Sequence, residues 1–329
     1  SRARSFLDSN DFEVYELPMQ EIKKEIPSAI LYFPVLLLNT IRFFSLVNRV
    51  KADLIVSNDL YNLIPALYRF LGGKVPYVVY VRFLPSKFPK PLVKFWCFWH
   101  VRFASHTIAV SKAVMDQLPY REKVTIIGGE LPESHSEFRP STSTRILYPA
   151  NYIKGKGHEF ALQSFSRISK KFPEWKLKFV GSDMGLKKNH DFKEKLEQLA
   201  KSLDLGTQVE WHTFAEKIDE EYKSAAIVLN FSESESFSLT CLEAMFYGRP
   251  VIATRSGGPA EIIDHEESGI LVDVKDIAAM AEALDKLISN PEKRDRMSRI
   301  AYERVRQKFS HENTIAKLGL IYKAALKDY

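Results

Sequence analysis

The sequence predicts an α/β protein made of two doubly wound parallel sheets. Three observations carry that expectation. Apolar runs of strand length alternate with stretches of helical period along nearly the whole chain, which is the pattern of parallel sheets with crossover helices. The 329 residues are enough for two domains, each burying a core of its own. The alternation is interrupted in mid-chain by one Ser/Thr/Pro-rich polar stretch, Glu133–Thr144 (ESHSEFRPSTST), which reads as a linker between domains.

The elements follow in order. The opening SRARSFLDSNDFEVYELP reads as the end of a helix followed by a strand at Phe12–Tyr15. The longest apolar run, Ala29–Val50, is broken by Pro34, Asn39, Arg42 and Asn48, so it is expected as an amphipathic or core helix rather than a membrane span. Strands are expected at Asp53–Val56, Tyr77–Val81, Thr107–Val110 and Val124–Ile127, with helices at Tyr61–Phe70, Leu92–Phe103 and Lys112–Leu118. The second half restarts with strand Arg145–Ala150 and helix Gly157–Phe172, in which Phe160, Ala161, Phe165, Ile168 and Phe172 mark one apolar face. Strands Lys176–Val180, Gln208–Trp211, Ile227–Phe231 and Val251–Thr254 follow, and helices Asp276–Ser289, Pro291–Phe309 and Glu312–Lys327 close the chain.

Composition narrows the class. Hydrophobic content of 45% and charged content of 27% are those of a globular protein. Two cysteines, Cys97 and Cys241, exclude a disulfide framework and suit a reducing compartment, as buried structural thiols. No signal peptide is visible, so a cytoplasmic location is expected. The net charge of +6 is too modest to argue for nucleic acid, and no RNA-binding motif appears.

The richest stretch is Ser232–Gly258, SESESFSLTCLEAMFYGRPVIATRSGG. Glu235 precedes a Ser-rich turn, Glu243 lies within the predicted helix Ser238–Tyr247, and Gly248-Arg249-Pro250 stops that helix before the next strand. The turn Ser236–Leu239 is therefore expected at the C-terminal end of a parallel strand and the N-terminal end of a helix. Free N–H groups and the positive helix end favour an anion there. Two carboxylates beside an anion site suit a ligand with both phosphates and hydroxyls, which is a nucleotide-sugar.

With its E-x7-E spacing followed by LEAM, GRPVIAT and SGGPAEII, the chain resembles the family-4 (group 1) retaining glycosyltransferases, most strongly from about Arg145 onward. The resemblance implies the GT-B fold, in which two Rossmann-like domains face each other across a cleft. It implies that Glu235 contacts the donor sugar and diphosphate, that Glu243 holds the ribose hydroxyls, and that the amides of Phe237, Ser238 and Leu239 bind phosphate or sugar oxygens. It places an acceptor-side domain at residues 1–138, a nucleotide-sugar domain at 139–310, and a helix at 311–329 that crosses back onto the first domain. Related chains open with a strand, a Gly-rich loop and a helix, so a first βα unit is expected to be missing from this sequence. The family often has Gly where this chain has Ser236 and Ser238, which makes left-handed backbone there less comfortable.

A second constellation is Asn151–His158, NYIKGKGH. Lys156 before Gly157 and a helix places an ammonium at a βα turn, a clamp for diphosphate. The family pattern is G-R-x-x-x-x-K-G; this chain keeps Lys156 and Gly157 but has Ala150 and Asn151 at the Gly-Arg positions. Asn151 supplies a hydrogen bond without charge, and Lys154 is the residue that would compensate. The Gly181-Ser182 turn and Gly257-Gly258 are placed at strand ends facing the crevice.

The third feature is charge. No acidic residue falls between Asp59 and Asp116, while Arg69, Lys74, Arg82, Lys87, Lys90, Lys94, Arg102 and Lys112 are basic. Lys87–Arg102 interleaves its cations with Phe88, Phe95, Trp96, Phe98 and Trp99, which suits an anionic membrane surface, single-stranded nucleic acid, or a solvated helix over an aromatic core. The resemblance favours the membrane, since many such enzymes use lipid-diphosphate-linked acceptors at the cytoplasmic face; the expected partners are a nucleotide-sugar donor and a lipid-linked or oligosaccharide acceptor. Many relatives carry a His where this chain has Arg82, which cannot serve as a base and could stabilise charge instead. No Asp-x-Asp occurs, so no metal and no cofactor beyond the donor is expected. The absence of G-x-G-x-x-G after any predicted strand argues against a nicotinamide dehydrogenase. Asn151 and Arg82 keep one alternative open, a catalytically silent partner subunit. The expected activity is sugar transfer in bacterial surface polysaccharide synthesis, lipopolysaccharide included.

Overall fold

The computed structural model describes residues 13–17, 26–131, 137–213 and 217–327, with side chains in the first helix from residue 34 onward. Residues 13–17 form no strand, contrary to the expectation for Phe12–Tyr15; Phe12 itself lies outside the described residues, as do Glu133–Ser136 of the expected linker. A strand needs a neighbour for its N–H and C=O rows, and none of the described strands pairs with this segment.

The chain then forms α1 (Ile26–Val50), with Pro34 in its interior. Leu36, Asn39, Thr40 and Val47 are buried at helical spacing, and Phe43 and Phe44 pack on Tyr68 of α2 (Ile64–Phe70). Strands β1 (Ile55–Asn58), β2 (Tyr77–Val81), β3 (His106–Ala109) and β4 (Val124–Ile126) form a parallel sheet in sequential order. Helices α3 (Lys90–Phe103) and α4 (Lys112–Met115) lie between them in the chain. The continuous apolar run of β2 is explained by burial, since four of its five residues are buried.

The second half is a six-stranded parallel sheet of β5 (Arg145–Pro149), β6 (Lys176–Val180), β7 (Val209–His212), β8 (Ile227–Asn230), β9 (Val251–Thr254) and β10 (Gly269–Val272). Its order is β10-β9-β8-β5-β6-β7. The chain therefore winds outward from β5 to β7, returns to β8 beside β5, and winds outward again. The direction reverses between β5 and β8, which is where doubly wound sheets bind ligands. Helices α5 (His158–Ser166), α6 (Lys187–Ser202), α7 (Ile218–Ser224), α8 (Leu239–Phe246), α9 (Pro259–Ile262), α10 (Ile277–Ser289), α11 (Pro291–Lys308) and α12 (His311–Lys327) complete the chain. Helix α5 is shorter than the expected Gly157–Phe172. Beyond Ser166 the backbone tightens into i+3 bonds, from Ile168 N to Phe165 O and from Lys171 N to Ile168 O.

Helix α12 returns to the first sheet, where Ile321 and Ala325 pack with Val78, Ile108 and Ile127. The two halves also meet directly. The Phe237 ring lies against Gly128 and Gly129 and edge-on to Phe309, 5.6 Å between centroids. The Glu261 carboxylate accepts the main-chain N–H groups of Lys112 and Ala113, each at 2.8 Å, and so caps the N-terminus of α4 from the other half of the chain. These contacts turn the C-terminal edges of the two sheets toward each other.

Candidate active site

A cavity of about 340 Å³ opens at the switch point between β5 and β8, within the size range of small-molecule sites. Its walls include Pro149, Ala150 and Asn151 from the end of β5, Val180 and Gly181 from the end of β6, and Asn230 and Ser232 from the end of β8. Lys156, Glu235 and Glu243 converge in it, joined by Tyr222.

Each group is fixed by its local structure. Gly157 adopts φ +79°, and a Cβ there would stand 2.1 Å from the Phe231 carbonyl oxygen, so only glycine lets the Lys156 loop lie against the end of β8. The buried Tyr148 hydroxyl donates to the Lys156 carbonyl and accepts the Phe231 N–H, tying the same two segments together. Gly181 serves the neighbouring turn: a Cβ would meet the Ala150 carbonyl at 1.9 Å. The Glu235 backbone is pinned by the Ser-Gly-Gly turn, donating to Ser256 O at 2.9 Å and accepting from Gly258 N at 3.0 Å.

Lys156 Nζ donates to Glu235 Oε1 at 2.7 Å, with the glutamate side chain 15% and the lysine 35% exposed. A cation and a carboxylate thus hold each other at the mouth of an anion-sized cavity. The turn after β8 adds main-chain donors. Ser238 takes φ +87°, the left-handed backbone expected to be uncomfortable for a non-glycine residue. Its hydroxyl offsets that cost by accepting from Cys241 N and from Asn230 Nδ2, the latter at 2.7 Å. The N–H groups of Phe237, Ser238 and Leu239 at the start of α8 have no protein acceptor among the described residues, so they remain available to an anion.

Glu243 lies one turn into α8, and burial raises its carboxyl above the ordinary range. The Tyr222 hydroxyl donates to Glu243 Oε2 at 3.0 Å. Sequence reasoning missed both tyrosines: Tyr148 sits in an apolar strand and Tyr222 among charged residues, and neither setting shows the pocket the side chain will enter.

Other expected residues are placed differently. Asn151 Oδ1 accepts the Ser182 N–H at 3.0 Å, so this side chain braces the two turns as well as lining the cavity. Lys154 is exposed and is not part of the lining. The Phe237 and Leu239 side chains face Gly129 across the domain interface, and neither they nor Ser238 line the cavity itself. Arg82 is exposed just beyond β2, with its guanidinium 4.6 Å above the Tyr80 ring and its N–H donating to Asp59 Oδ1 at 2.7 Å. It belongs to the opposite sheet's edge and not to this cavity.

Fold and site together define a GT-B protein, with two facing parallel-sheet domains and a polar crevice at the second domain's switch point. The model of the glycosyl transferases group 1 family matches residues 132–304, more than half of the sequence, and the chain belongs to that family. It is similar to the N-acetyl-alpha-D-glucosaminyl L-malate synthase of Bacillus anthracis, 30% identical over 200 residues, 60% of this chain and 50% of that protein. It is also similar to the D-inositol 3-phosphate glycosyltransferase of Corynebacterium urealyticum, 31% identical over 191 residues, 56% of this chain and 44% of that one. The chain spans about half the length of these curated relatives. Among solved structures, that of Anabaena HepE in complex with UDP superimposes with a TM-score of 0.83 at 18% identity, covering 98% of this chain and 90% of that one. A glycosyltransferase from Rickettsia africae gives 0.81 at 18% identity, covering 100% and 89%.

Proposed function

We propose that this protein is a retaining glycosyltransferase of family 4 that moves a sugar from a nucleoside-diphosphate sugar to an acceptor at an anionic membrane surface. The observation that carries the reading is the convergence of Lys156, Glu235 and Glu243 in one cavity at the sheet's switch point. Lys156 and the amides of Phe237, Ser238 and Leu239 would neutralise the diphosphate, Glu243 the ribose hydroxyls, and Glu235 the sugar. In the transfer, the bond from the anomeric carbon to the phosphate oxygen breaks and a bond to the acceptor oxygen forms on the same face. The acceptor proton leaves with the departing diphosphate. Such a scheme asks for charge stabilisation more than for a strong protein base, which fits an arginine at position 82. Neither a metal nor another cofactor enters this scheme.

The acceptor side rests on α3. Lys90, Lys94, Phe98, Val101 and Arg102 recur along one exposed face, with Phe98 65% exposed and Lys87 just ahead of the helix. Phe70 extends the patch, touching Trp99 and Phe103 edge-on. Basic side chains around exposed aromatic rings match an anionic lipid interface and a lipid-linked or oligosaccharide acceptor. Trp96 is a correction to the sequence reading. It is 2% exposed and packs on Phe83 and Phe88, so it belongs to the core and not to that surface. No helix among the described residues is long and apolar enough to cross a membrane. We place the enzyme peripherally at the cytoplasmic face, in bacterial surface polysaccharide or lipopolysaccharide synthesis.

A thermal-shift panel of UDP-, GDP- and ADP-sugars tests the donor site, with UDP-sugars first because HepE was crystallised with UDP-glucose. Stabilisation by none of them would refute it. The second reading, a silent partner subunit, draws on Asn151 standing where the family has arginine. Donor binding without donor hydrolysis or transfer would favour it.

A further inference from the structure

Glu243 is not held by the backbone of its own helix alone. Tyr222, near the end of α7 and ahead of β8 in the chain, reaches it, and its hydroxyl donates to Glu243 Oε2 at 3.0 Å. The tyrosine ring is 1% exposed and stacks on Tyr247, 5.7 Å between centroids and 14° between planes. That packing fixes the ring, so its hydroxyl has one place to point. With Oε2 occupied, Oε1 is the oxygen left to face a ligand in the cavity both residues line.

We propose that Tyr222 is a positioning residue for donor binding: its hydroxyl sets the Glu243 carboxylate against the ribose. The proposal rests on the assignment of Glu243 to the ribose. Burial works against the charged form of Glu243, and the Tyr222 hydrogen bond is the influence that works for it. The phenol stays a donor throughout the working range, because burial and the neighbouring carboxylate hold it well above its ordinary value.

The surrounding groups leave this role to Tyr222. Cys241 on α8 is kept a neutral thiol by burial, pushed up to about 12. Glu221, beside Tyr222, is engaged by both its oxygens with Lys178 at 2.7 Å. Lys156, the cation in the cavity lining, is paired with Glu235. The Thr240 hydroxyl, also in the lining, donates to the Pro149 carbonyl.

The test is Tyr222→Phe, which removes one oxygen and keeps the ring in its stack. Calorimetric affinity for the nucleoside diphosphate that best stabilises the wild type, among UDP, GDP and ADP, is followed from pH 5 to 8.5 in both proteins. At pH 8 the variant should bind about five- to tenfold more weakly, less than the loss of a charged hydrogen bond to the ligand itself, because Tyr222 acts through Glu243. Without the phenol Glu243 protonates more readily, so the acid-side loss of affinity should move to higher pH. Ionisation of the ligand is common to both proteins and cancels in the comparison. An unmoved acid limb overturns the proposal even if affinity at pH 8 falls, because a packing defect would do that much. Glu243→Ala, run in parallel, separates the layers. If it weakens binding while Tyr222→Phe does not, the tyrosine proposal alone is overturned. If both bind like wild type, the ribose assignment fails and the proposal fails with it.

Discussion

The Lys156–Glu235 pair allows stability and donor binding to be pulled apart. At 2.7 Å and an effective dielectric of 20, the gross attraction between the two charges is about 6 kcal/mol. Most of it is offset by the desolvation of a glutamate only 15% exposed, and the lysine, at 35% exposed, is partly screened. A net contribution of about 1–2 kcal/mol is expected. Lys156→Met removes the cation and strands Glu235, so the thermal midpoint should fall by a few degrees. The same substitution removes the group assigned to the diphosphate, so affinity for the nucleoside diphosphate should fall about 10- to 150-fold, the worth of a charged hydrogen bond. Affinity for the free nucleoside should hold. Adding Glu235→Gln to Lys156→Met removes the stranded charge, so the double variant should recover most of the lost midpoint while diphosphate binding stays lost. Calorimetry with nucleoside and nucleoside diphosphate, beside thermal melts of the three proteins, reads both effects. Equal losses for the two ligands would refute the assignment of Lys156 to the leaving group, and a double variant no more stable than the single one would refute the stranded charge on Glu235.

Glu243→Ala should weaken nucleotide binding by about 1.5–3 kcal/mol, and unchanged calorimetric affinity would remove Glu243 from the ribose. Its raised carboxyl also carries a stability signature. A carboxylate whose folded value lies above its unfolded one favours the fold below the unfolded value, and that contribution is lost as pH rises through the folded value. Glu243→Gln should therefore melt higher than wild type at neutral pH, with the gain shrinking toward pH 4; a constant difference across the range would contradict the cause. Replacing Lys87, Lys90, Lys94 and Arg102 by Ser should release the protein from anionic vesicles while sparing donor hydrolysis, since each contributes about 1 kcal/mol near a charged surface. Flotation indifferent both to that change and to salt would mean that α3 is an ordinary solvated helix. Gly181→Ala forces a methyl group onto the Ala150 carbonyl, so it should destabilise the fold or displace the Asn151 turn; a stable variant with unaltered donor affinity would show that the two strand ends are less tightly coupled than their spacing implies.

The legible parts of the sequence were those where one force dominates. Strands Tyr77–Val81 and Val251–Thr254 begin and end where the apolar runs do, because burial leaves little room for polar residues. Helix α6 was legible but unread: Phe192, Leu196, Leu199 and Ala200 recur at helical spacing and pack on the core, spread thinly among charged residues. Strand β10 opens on a glycine, a residue that reads as a turn and not as a strand start. In the candidate site, spacing singled out Glu235, Glu243 and Lys156 because they sit in local motifs. Tyr222 belongs to no motif. Its relation to Glu243 spans 21 residues and a strand crossing, and depends on a side-chain direction that only the packed sheet defines. Trp96 shows the reverse error: an aromatic among lysines looks interfacial until the helix face it occupies is known.

The return of α12 to the first sheet makes the two halves unequal as pieces. Residues 139–310 hold all six strands of the second sheet, and a fragment cut there would keep that sheet whole. The first half cut at the linker would lose Ile321 and Ala325 from its face and expose Val78, Ile108 and Ile127 to water. A polar contact accompanies that apolar one: Glu130, near the end of the first half, sits against the ring of His311 where α12 begins. The isolated first half would lose both.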